Sequence, residues 1–166
     1  MASESKENQI LELILENSPY KRWHFEELIK KANITRGALN KWLNKYCKEG
    51  LLKKIKEEEK FPYYSVGEDN PIYYSKKRHF MLHQMYDSNL ISHLMSLNAK
   101  SIIIFGSAIK GDWYKNSDID IFILSKAKKP NLIPYEKKLK RNIEIHQFKS
   151  KKEIDNIRTG LFNNIL

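Results

Sequence analysis

The chain has 166 residues and a mass of 19.7 kDa, which allows one compact domain or two small ones. It carries 30 Lys and Arg against 20 Asp and Glu, a net charge of +10, and this surplus favours a polyanionic partner such as nucleic acid or nucleotide phosphate. A hydrophobic content of 41% and an aromatic content of 11% exclude a disordered or collagen-like chain.

The sequence shows no apolar run near the roughly 20 residues that a membrane span needs. Its start, MASESKENQI, has no apolar signal-peptide region. With Cys47 as its single cysteine, the chain has no intramolecular disulfide and no cysteine-rich zinc site. We therefore expect a cytoplasmic protein without a membrane partner.

Charge and turn residues divide the chain. Residues 1–70 hold 13 basic and 12 acidic side chains, whereas residues 71–166 hold 17 and 8. The run GEDNP at 67–71 is typical of a turn. We expect a first domain over 1–70, a connecting helix over 71–98 and a second domain over 99–166.

The first domain is predicted to contain three helices and a β-hairpin. Apolar spacing predicts helices over 6–16 and around 25–32, and Thr35 is the expected cap of a third helix that ends at Gly50. The apolar face of this third helix, which we expect to be buried, comprises Leu39, Trp42, Leu43 and Tyr46. Residues 51–56 and 61–66 then read as paired strands, with three glutamates at the hairpin tip.

This order of elements resembles a winged helix-turn-helix domain, which implies that the third helix binds duplex DNA. Its outward side chains are of the types that contact base edges and phosphates; they are Arg36, Asn40, Lys41, Asn44, Lys45 and Lys48. A solvated helix face, or a scaffold for protein contacts, remains the alternative. The glutamates at the tip would repel phosphate.

Residues 72–98 are predicted to form one long helix with a broad apolar surface. That surface comprises Phe80, Leu82, Met85, Tyr86, Leu90, Ile91, Leu94, Met95 and Leu97. His79 and His83 have the spacing of helical metal ligands, but ordinary histidines are the favoured interpretation.

The stretch from 101 to 124 carries the chemistry. A β-branched run at 102–105 predicts a buried strand that ends in a tight turn at Gly106 and Ser107. A second strand begins near Asp118 and runs to Leu124, and its apolar residues on both faces predict a central position.

Asp118 and Asp120 share one face of that second strand, roughly 6–7 Å apart along the chain. Two such carboxylates repel each other, and a hard divalent cation relieves the repulsion. The Gly106 turn and the Ser107 hydroxyl can bind phosphate, and Lys110 follows one turn later. The alternative is a strand-entry role for Asp118 and a helix cap at Ser107.

Gly-Ser, ten residues and Asp-x-Asp resemble the signature of the nucleotidyltransferase superfamily with the polymerase β palm fold. Gly111 and Ser117-Asp118 are similar to its minimal branch. The resemblance implies an α+β domain with a mixed sheet and helices, Mg²⁺ or Mn²⁺, and an NTP donor, with ATP expected. Asp118 and Asp120 would bind metal; Gly106, Ser107 and Lys110 would bind nucleotide.

The family also uses a third carboxylate on a later strand, and Glu144 in the alternating segment 142–148 is the best match. Its implied role is to assist the metal or to act as a base. A rim carboxylate paired with Lys140 or Arg141 is the alternative. His146 shares the face of Glu144 and is interpreted as a structural or rim residue.

Three functions follow from these resemblances. The first is transfer of a nucleoside monophosphate from an NTP to an unidentified acceptor. The second is a DNA-binding regulator whose second domain senses nucleotide, and the third is an antitoxin-type protein adenylyltransferase. A helical partner protein or a second copy of the chain is expected to complete the acceptor side.

Overall fold

The structure is a computed structural model, and it describes residues 6–155. The chain forms two compact units, with the boundary between Lys76 and Lys77. The helices are α1 (Lys6–Leu15), α2 (Phe25–Ala32), α3 (Arg36–Lys48), α4 (Pro71–Asp87), α5 (Leu90–Ser96), α6 (Ser107–Lys110), α7 (Ile133–Leu139) and α8 (Lys151–Asp155). The strands are β1 (Trp23–His24), β2 (Lys53–Ile55), β3 (Tyr63–Ser65), β4 (Ser101–Phe105), β5 (Ile119–Leu124) and β6 (Ile143–Phe148).

The first unit contains the three predicted helices and the predicted hairpin. The hairpin strands β2 and β3 are antiparallel, and β1 adds to them in the order β1-β3-β2. Thr35 caps α3, since its Oγ1 accepts a hydrogen bond from the Ala38 amide at 3.3 Å. The core of this unit includes Ile10, Ile14, Leu15, Leu28, Leu39, Leu43 and Tyr46.

Trp42 is only half-buried, so its predicted place in the core is wrong. The ammonium groups of Lys41 and Lys45 lie 4.7 and 5.3 Å from the centroid of the indole ring. Cations stabilise an aromatic face at such distances, and their aliphatic stems cover it. The ring therefore lies at the edge of the core, beneath two lysines.

The single long helix predicted over 72–98 is also wrong. Helix α4 ends at Asp87 and α5 begins at Leu90, because Asn89 has the left-handed conformation with φ 65°. The Ser88 hydroxyl donates to the Met85 carbonyl at 3.0 Å, which ties the end of α4. The broad apolar surface is correspondingly broken by exposed Leu82, Tyr86 and Met95.

The second unit is built on a mixed sheet of order β4-β5-β6. Strand β4 is antiparallel to β5, and β6 is parallel to it, so the predicted central position of β5 is confirmed. One face of the sheet is mainly isoleucine, with Gln147 opposite Ile123, and it buries Ile119, Ile121, Ile123 and Ile143. The opposite face carries Asp120, Glu144 and His146 among phenylalanines.

The prediction that the 102–105 strand is buried is wrong. Strand β4 is an edge strand, Ile103 is 37% exposed, and Phe105 alone in it is buried. With α helices beside this sheet and the antiparallel sheet of the first unit, the described chain is α+β. Within residues 6–155, every helix is too short or too polar to cross a membrane.

Candidate functional site

The parallel pairing of β5 and β6 brings three potential metal ligands together. Asp120 is opposite Glu144 in the register, and His146 is two residues further along β6. One ligand atom from each of these three side chains lies within 4.8 Å of the other two. The Nε2 atom of His146 is 3.4 Å from Oε1 of Glu144.

Asp120 has a perturbed acidity that reflects this crowding. Burial raises the pKa of its carboxyl, and the negative charges of Glu144 and Asp118 raise it further, while His146 opposes them. A divalent cation would remove the repulsion between the carboxylates. Two carboxylates and one imidazole suit Mg²⁺ through their oxygens and Mn²⁺ through all three donors. The residues present therefore fit a divalent ion.

The Gly106 turn lies directly against the Asp120 carboxylate. Gly106 follows Phe105, which pairs with Asp120 across β4 and β5. Its backbone has φ 73° and ψ −155°, and a Cβ at this position would collide with Asp120 Oδ2. The turn can adopt this conformation only because glycine has no side chain. The absence of a side chain allows the Asp120 carboxylate to lie directly against the backbone of the turn.

Ser107 and Lys110 begin and end the short helix α6 that follows the turn. Ser107 is half-buried, and Lys110 is exposed. The carbonyl of Lys110 accepts a hydrogen bond from Arg78 Nη1 at 3.0 Å, which ties α6 to α4. The two residues thus follow the turn as the sequence predicts.

Asp118 is outside the three-ligand group. It is exposed, lies one residue before β5, and lines a cavity of about 410 Å³. The other side chains of this cavity are Asn116, Glu136, Lys137, Lys140, Arg141 and Asn142. The structure thus brings Asp120 to Glu144, and it places Asp118 beside cations. The negative charge of Asp118 nevertheless contributes to the raised pKa of Asp120.

The loop that leads to Asp118 is held by Trp113, which is completely buried. The indole Nε1 donates to the Lys77 carbonyl at 3.1 Å, and the Lys77 ammonium lies 4.8 Å from the ring centroid. The Arg141 guanidinium lies 4.8 Å from the same centroid and donates to the carbonyls of Tyr114 and Ser117, at 2.5 and 3.3 Å. These contacts fix the backbone just before Asp118.

Lys77 is almost completely buried, with 1% of its surface exposed. Burial lowers its pKa to about 8, the Asp112 carboxylate opposes that shift, and the charge of Arg141 adds to it. A buried amine of this kind titrates well below an exposed lysine.

His146 is the member of the three-ligand group that the sequence indicated as a structural or rim residue. The alternation of the 142–148 segment put it on the face of Glu144, which was the available signal. Its proximity to Asp120 depends on the pairing register of β6, which the sequence does not state. The contact of Glu144 with His146 also differs from the alternative pairing with Lys140 or Arg141.

The outward side of α3 is exposed at all six predicted positions, Arg36, Asn40, Lys41, Asn44, Lys45 and Lys48. Two of its cations are engaged in ion pairs. Arg36 binds Glu26, and Lys45 binds Glu7, each at 2.7 Å.

Comparison with known proteins bears on the second unit. Residues 89–165 match the family model described as "Nucleotidyltransferase domain", and this segment contains the Gly106 turn, Asp118, Asp120 and Glu144. No curated protein and no solved structure matches the chain. The C-terminal part of the chain is thus similar to nucleotidyltransferase domains, which supports the predicted superfamily and a transferase role in nucleotidyl transfer.

Proposed function

We propose that the second unit is a metal-dependent nucleotidyltransferase that moves a nucleoside monophosphate from an NTP, with ATP expected, to an acceptor. The observation that carries the proposal is the position of Asp120. Its carboxylate lies against the backbone of Gly106 on one side and close to Glu144 on the other. A phosphate-binding turn and a metal-binding carboxylate pair therefore share one edge of the sheet.

Asp120 and Glu144, with Asp118 at the mouth of the site and His146 beside Glu144, would hold Mg²⁺ or Mn²⁺. A bound divalent ion would supply charge neutralisation on the phosphates and help to orient the acceptor. The fixed loop before Asp118 keeps the two aspartates in place without the nucleotide. This rigidity favours a site that is assembled before the substrate arrives.

The chain's own residues account for the remaining roles. The Gly106 backbone and the Ser107 hydroxyl would bind the β- and γ-phosphates, and Lys110 would balance their charge. The acceptor oxygen forms a bond to the α-phosphorus while the bond from that phosphorus to the leaving pyrophosphate breaks. The acceptor's proton goes to the Glu144 carboxylate, whose Oε1 is 3.4 Å from His146 Nε2.

The proposal is tested by comparing two radioactive labels. The full chain is incubated with a cell lysate, Mg²⁺ and each NTP, labelled at either the α- or the γ-phosphate. We expect label from the α position alone to enter an acceptor, because the γ-phosphate leaves in pyrophosphate. The double variant Asp118→Asn with Asp120→Asn is expected to lose about 100-fold or more of this labelling, since metal-bound charge contributes several kcal/mol.

The double variant Glu58→Gln with Asp69→Asn is the matched control, because it removes two exposed carboxylates outside the ligand group. It should keep its labelling within about twofold, as expected for an exposed surface change. Transfer of γ-label above that of the lysate without the chain, or full activity in the double aspartate variant, contradicts the proposal. Nuclease or protease sensitivity of the product then distinguishes a nucleic acid acceptor from a protein acceptor, the latter being the antitoxin-type function.

A second candidate function concerns the first unit. Its three helices, its β1-β3-β2 sheet and the exposed basic face of α3 favour a winged helix-turn-helix that binds duplex DNA. The pairing of Arg36 and Lys45 with glutamates leaves Asn40, Lys41, Asn44 and Lys48 as its main contacts. As a regulator, the chain would bind NTP without turnover and bind duplex DNA with a steep salt dependence. Equal duplex binding by wild type and Asn40→Ala with Asn44→Ala contradicts this function.

A further inference from the structure

The two edges of the second sheet carry different charged side chains. The acidic edge is the end where β5 and β6 begin and β4 finishes, and it holds Asp118, Asp120 and Glu144. The other edge is bordered by lysines that precede β4 or follow β5 and β6. We call this the lysine edge; its members are Lys100, Lys126, Lys128, Lys129, Lys149, Lys151 and Lys152.

Four of these lysines surround one concave surface. Lys126, Lys128, Lys129 and Lys149 line a cavity of about 560 Å³ together with Ala127, Gln147 and Glu153. All four lysine side chains are exposed. Four positive charges therefore border a space that opens to solvent, and Glu153 is the one carboxylate among its described lining residues.

The backbone beneath these lysines is held in place. Gln147 Nε2 donates to the carbonyls of Ser125 and Ala127, at 3.2 and 2.7 Å. The Ser125 amide donates to the Phe148 carbonyl at 2.9 Å, and the Ala127 amide donates to the Ser125 hydroxyl at 3.1 Å. The backbone around residues 125–127 is thus preorganised, so a ligand would not have to order it.

The cations of the first unit are arranged differently. In the first unit, glutamates form ion pairs with Lys21, Arg22, Lys31, Arg36, Lys45, Lys60 and Lys76. Among the described side chains of residues 6–154, no carboxylate lies within ion-pair distance of the four lysines around the cavity. Clustered like charges repel each other, and an anionic ligand would remove that repulsion.

We propose that the lysine edge binds the phosphodiester backbone of single-stranded nucleic acid. A row of phosphates matches several point charges around one groove, and lysine is a suitable partner for phosphate. A duplex is too wide to enter a cavity of this size. A membrane surface fits less well, because the exposed large apolar side chains of the described chain are elsewhere. Since these contacts are to phosphates, binding is independent of base sequence.

This surface is separate from the proposed transfer site. Asp120 and Leu124 are four residues apart on β5, which is about 13 Å along an extended strand. Lys126, Lys128 and Lys129 follow Leu124 in the chain. Binding at the lysine edge therefore needs neither an NTP nor a divalent ion.

The test is fluorescence anisotropy on the full chain, without NTP or divalent ions. The probes are labelled oligouridylate and oligothymidylate of about 20 nucleotides, enough to cover one such site. The variant Lys126→Gln, Lys128→Gln, Lys129→Gln is compared with a control that removes three exposed lysines of the first unit outside α3, namely Lys30→Gln, Lys53→Gln, Lys56→Gln. Thermal unfolding confirms that both variants are folded.

We expect the lysine-edge variant to bind both single strands about tenfold or more weakly at low salt, with the salt slope of log K reduced by about 2, because each lost phosphate contact removes about 0.7. The control variant should keep its affinity within about twofold. Binding to RNA alone or DNA alone would identify the natural strand, and either supports the proposal.

Equal loss of affinity in the two variants, or no loss in the lysine-edge variant, overturns the proposal. It is also overturned if the wild-type chain binds phosphatidylserine vesicles or polyglutamate as tightly as it binds the oligonucleotides. Because the assay contains no NTP, its failure leaves the nucleotidyl-transfer proposal standing, and failure of the labelling experiment leaves this one standing.

Discussion

Position 106 requires glycine for two reasons, its backbone conformation and the lack of space for a Cβ atom. Its φ of 73° with ψ −155° is a region that side chains disfavour, and the Asp120 carboxylate occupies the place of a Cβ. Both requirements come from the same cause, the close approach of the turn after β4 to the start of β5.

We expect Gly106→Ala to lower the free energy of unfolding by about 1–3 kcal/mol, because the new methyl group is strained and displaces Asp120. Gly37→Ala is the matched control: its Cβ would meet nothing within 4 Å, it lies inside α3, and alanine there should stabilise by up to about 1 kcal/mol. Urea unfolding measures both. Equal effects of the two substitutions would show that the turn does not press on Asp120.

Lys77 makes the stability of the chain depend on pH. Its pKa is about 8 in the folded chain and 10.5 in a solvated lysine. Between these values the unfolded chain binds one proton more, so the free energy of unfolding rises with pH. The charged form is the one that burial disfavours.

We expect the stability of the wild type, relative to Lys77→Met, to rise by about 2 kcal/mol between pH 8 and pH 10, since one pKa unit corresponds to about 1.4 kcal/mol. Urea unfolding at several pH values measures this difference, and titrations elsewhere cancel between the two proteins. Parallel pH curves for wild type and variant would contradict the lowered pKa.

At this scale, local spacing predicted the turn at Gly106 and the face of β6 on which Glu144 lies. His146 was interpreted as a structural or rim residue, because its distance from Asp120 arises from strand pairing between residues far apart in sequence.

The break between α4 and α5 shows how one residue ends an element. The apolar pattern continues through Asp87–Asn89 without Gly or Pro, so periodicity alone predicts a single helix. Asn89 tolerates the left-handed conformation better than most side chains, and the Ser88 hydroxyl competes for the backbone. Short polar residues therefore replace the usual helix breakers here.

Asn89→Ala should lower the free energy of unfolding by about 1 kcal/mol, because alanine at φ 65° is strained. Asn89→Gly is its control and should be neutral or slightly stabilising, since glycine adopts this conformation freely. Chemical unfolding of both variants is the measurement. A more stable Asn89→Ala protein would mean that α4 and α5 can join into one helix.

Strand β4 shows that an apolar composition alone does not predict the burial of a strand. A run of isoleucines predicts burial on both faces, yet β4 is at the edge of a three-stranded sheet. Composition reports the preference of a residue for the interior, but the number of strands decides which strand has neighbours on both sides.

Over the whole molecule, charge is distributed differently in the two units. The sequence predicted a surplus in the second part, from 17 basic and 8 acidic residues after position 70. It did not predict which cations are neutralised, because ion pairs such as Lys45 with Glu7 join residues 38 positions apart. Only the folded chain separates paired cations from the unpaired ones.

Four lysines border one cavity beyond the end of β5, so a polyanion that approaches the second unit would be steered to that end before contact. Asp120 and Glu144 lie at the opposite end of the parallel strands. A nucleotide and a nucleic acid strand would therefore have separate entrances, and neither would need to leave before the other arrived.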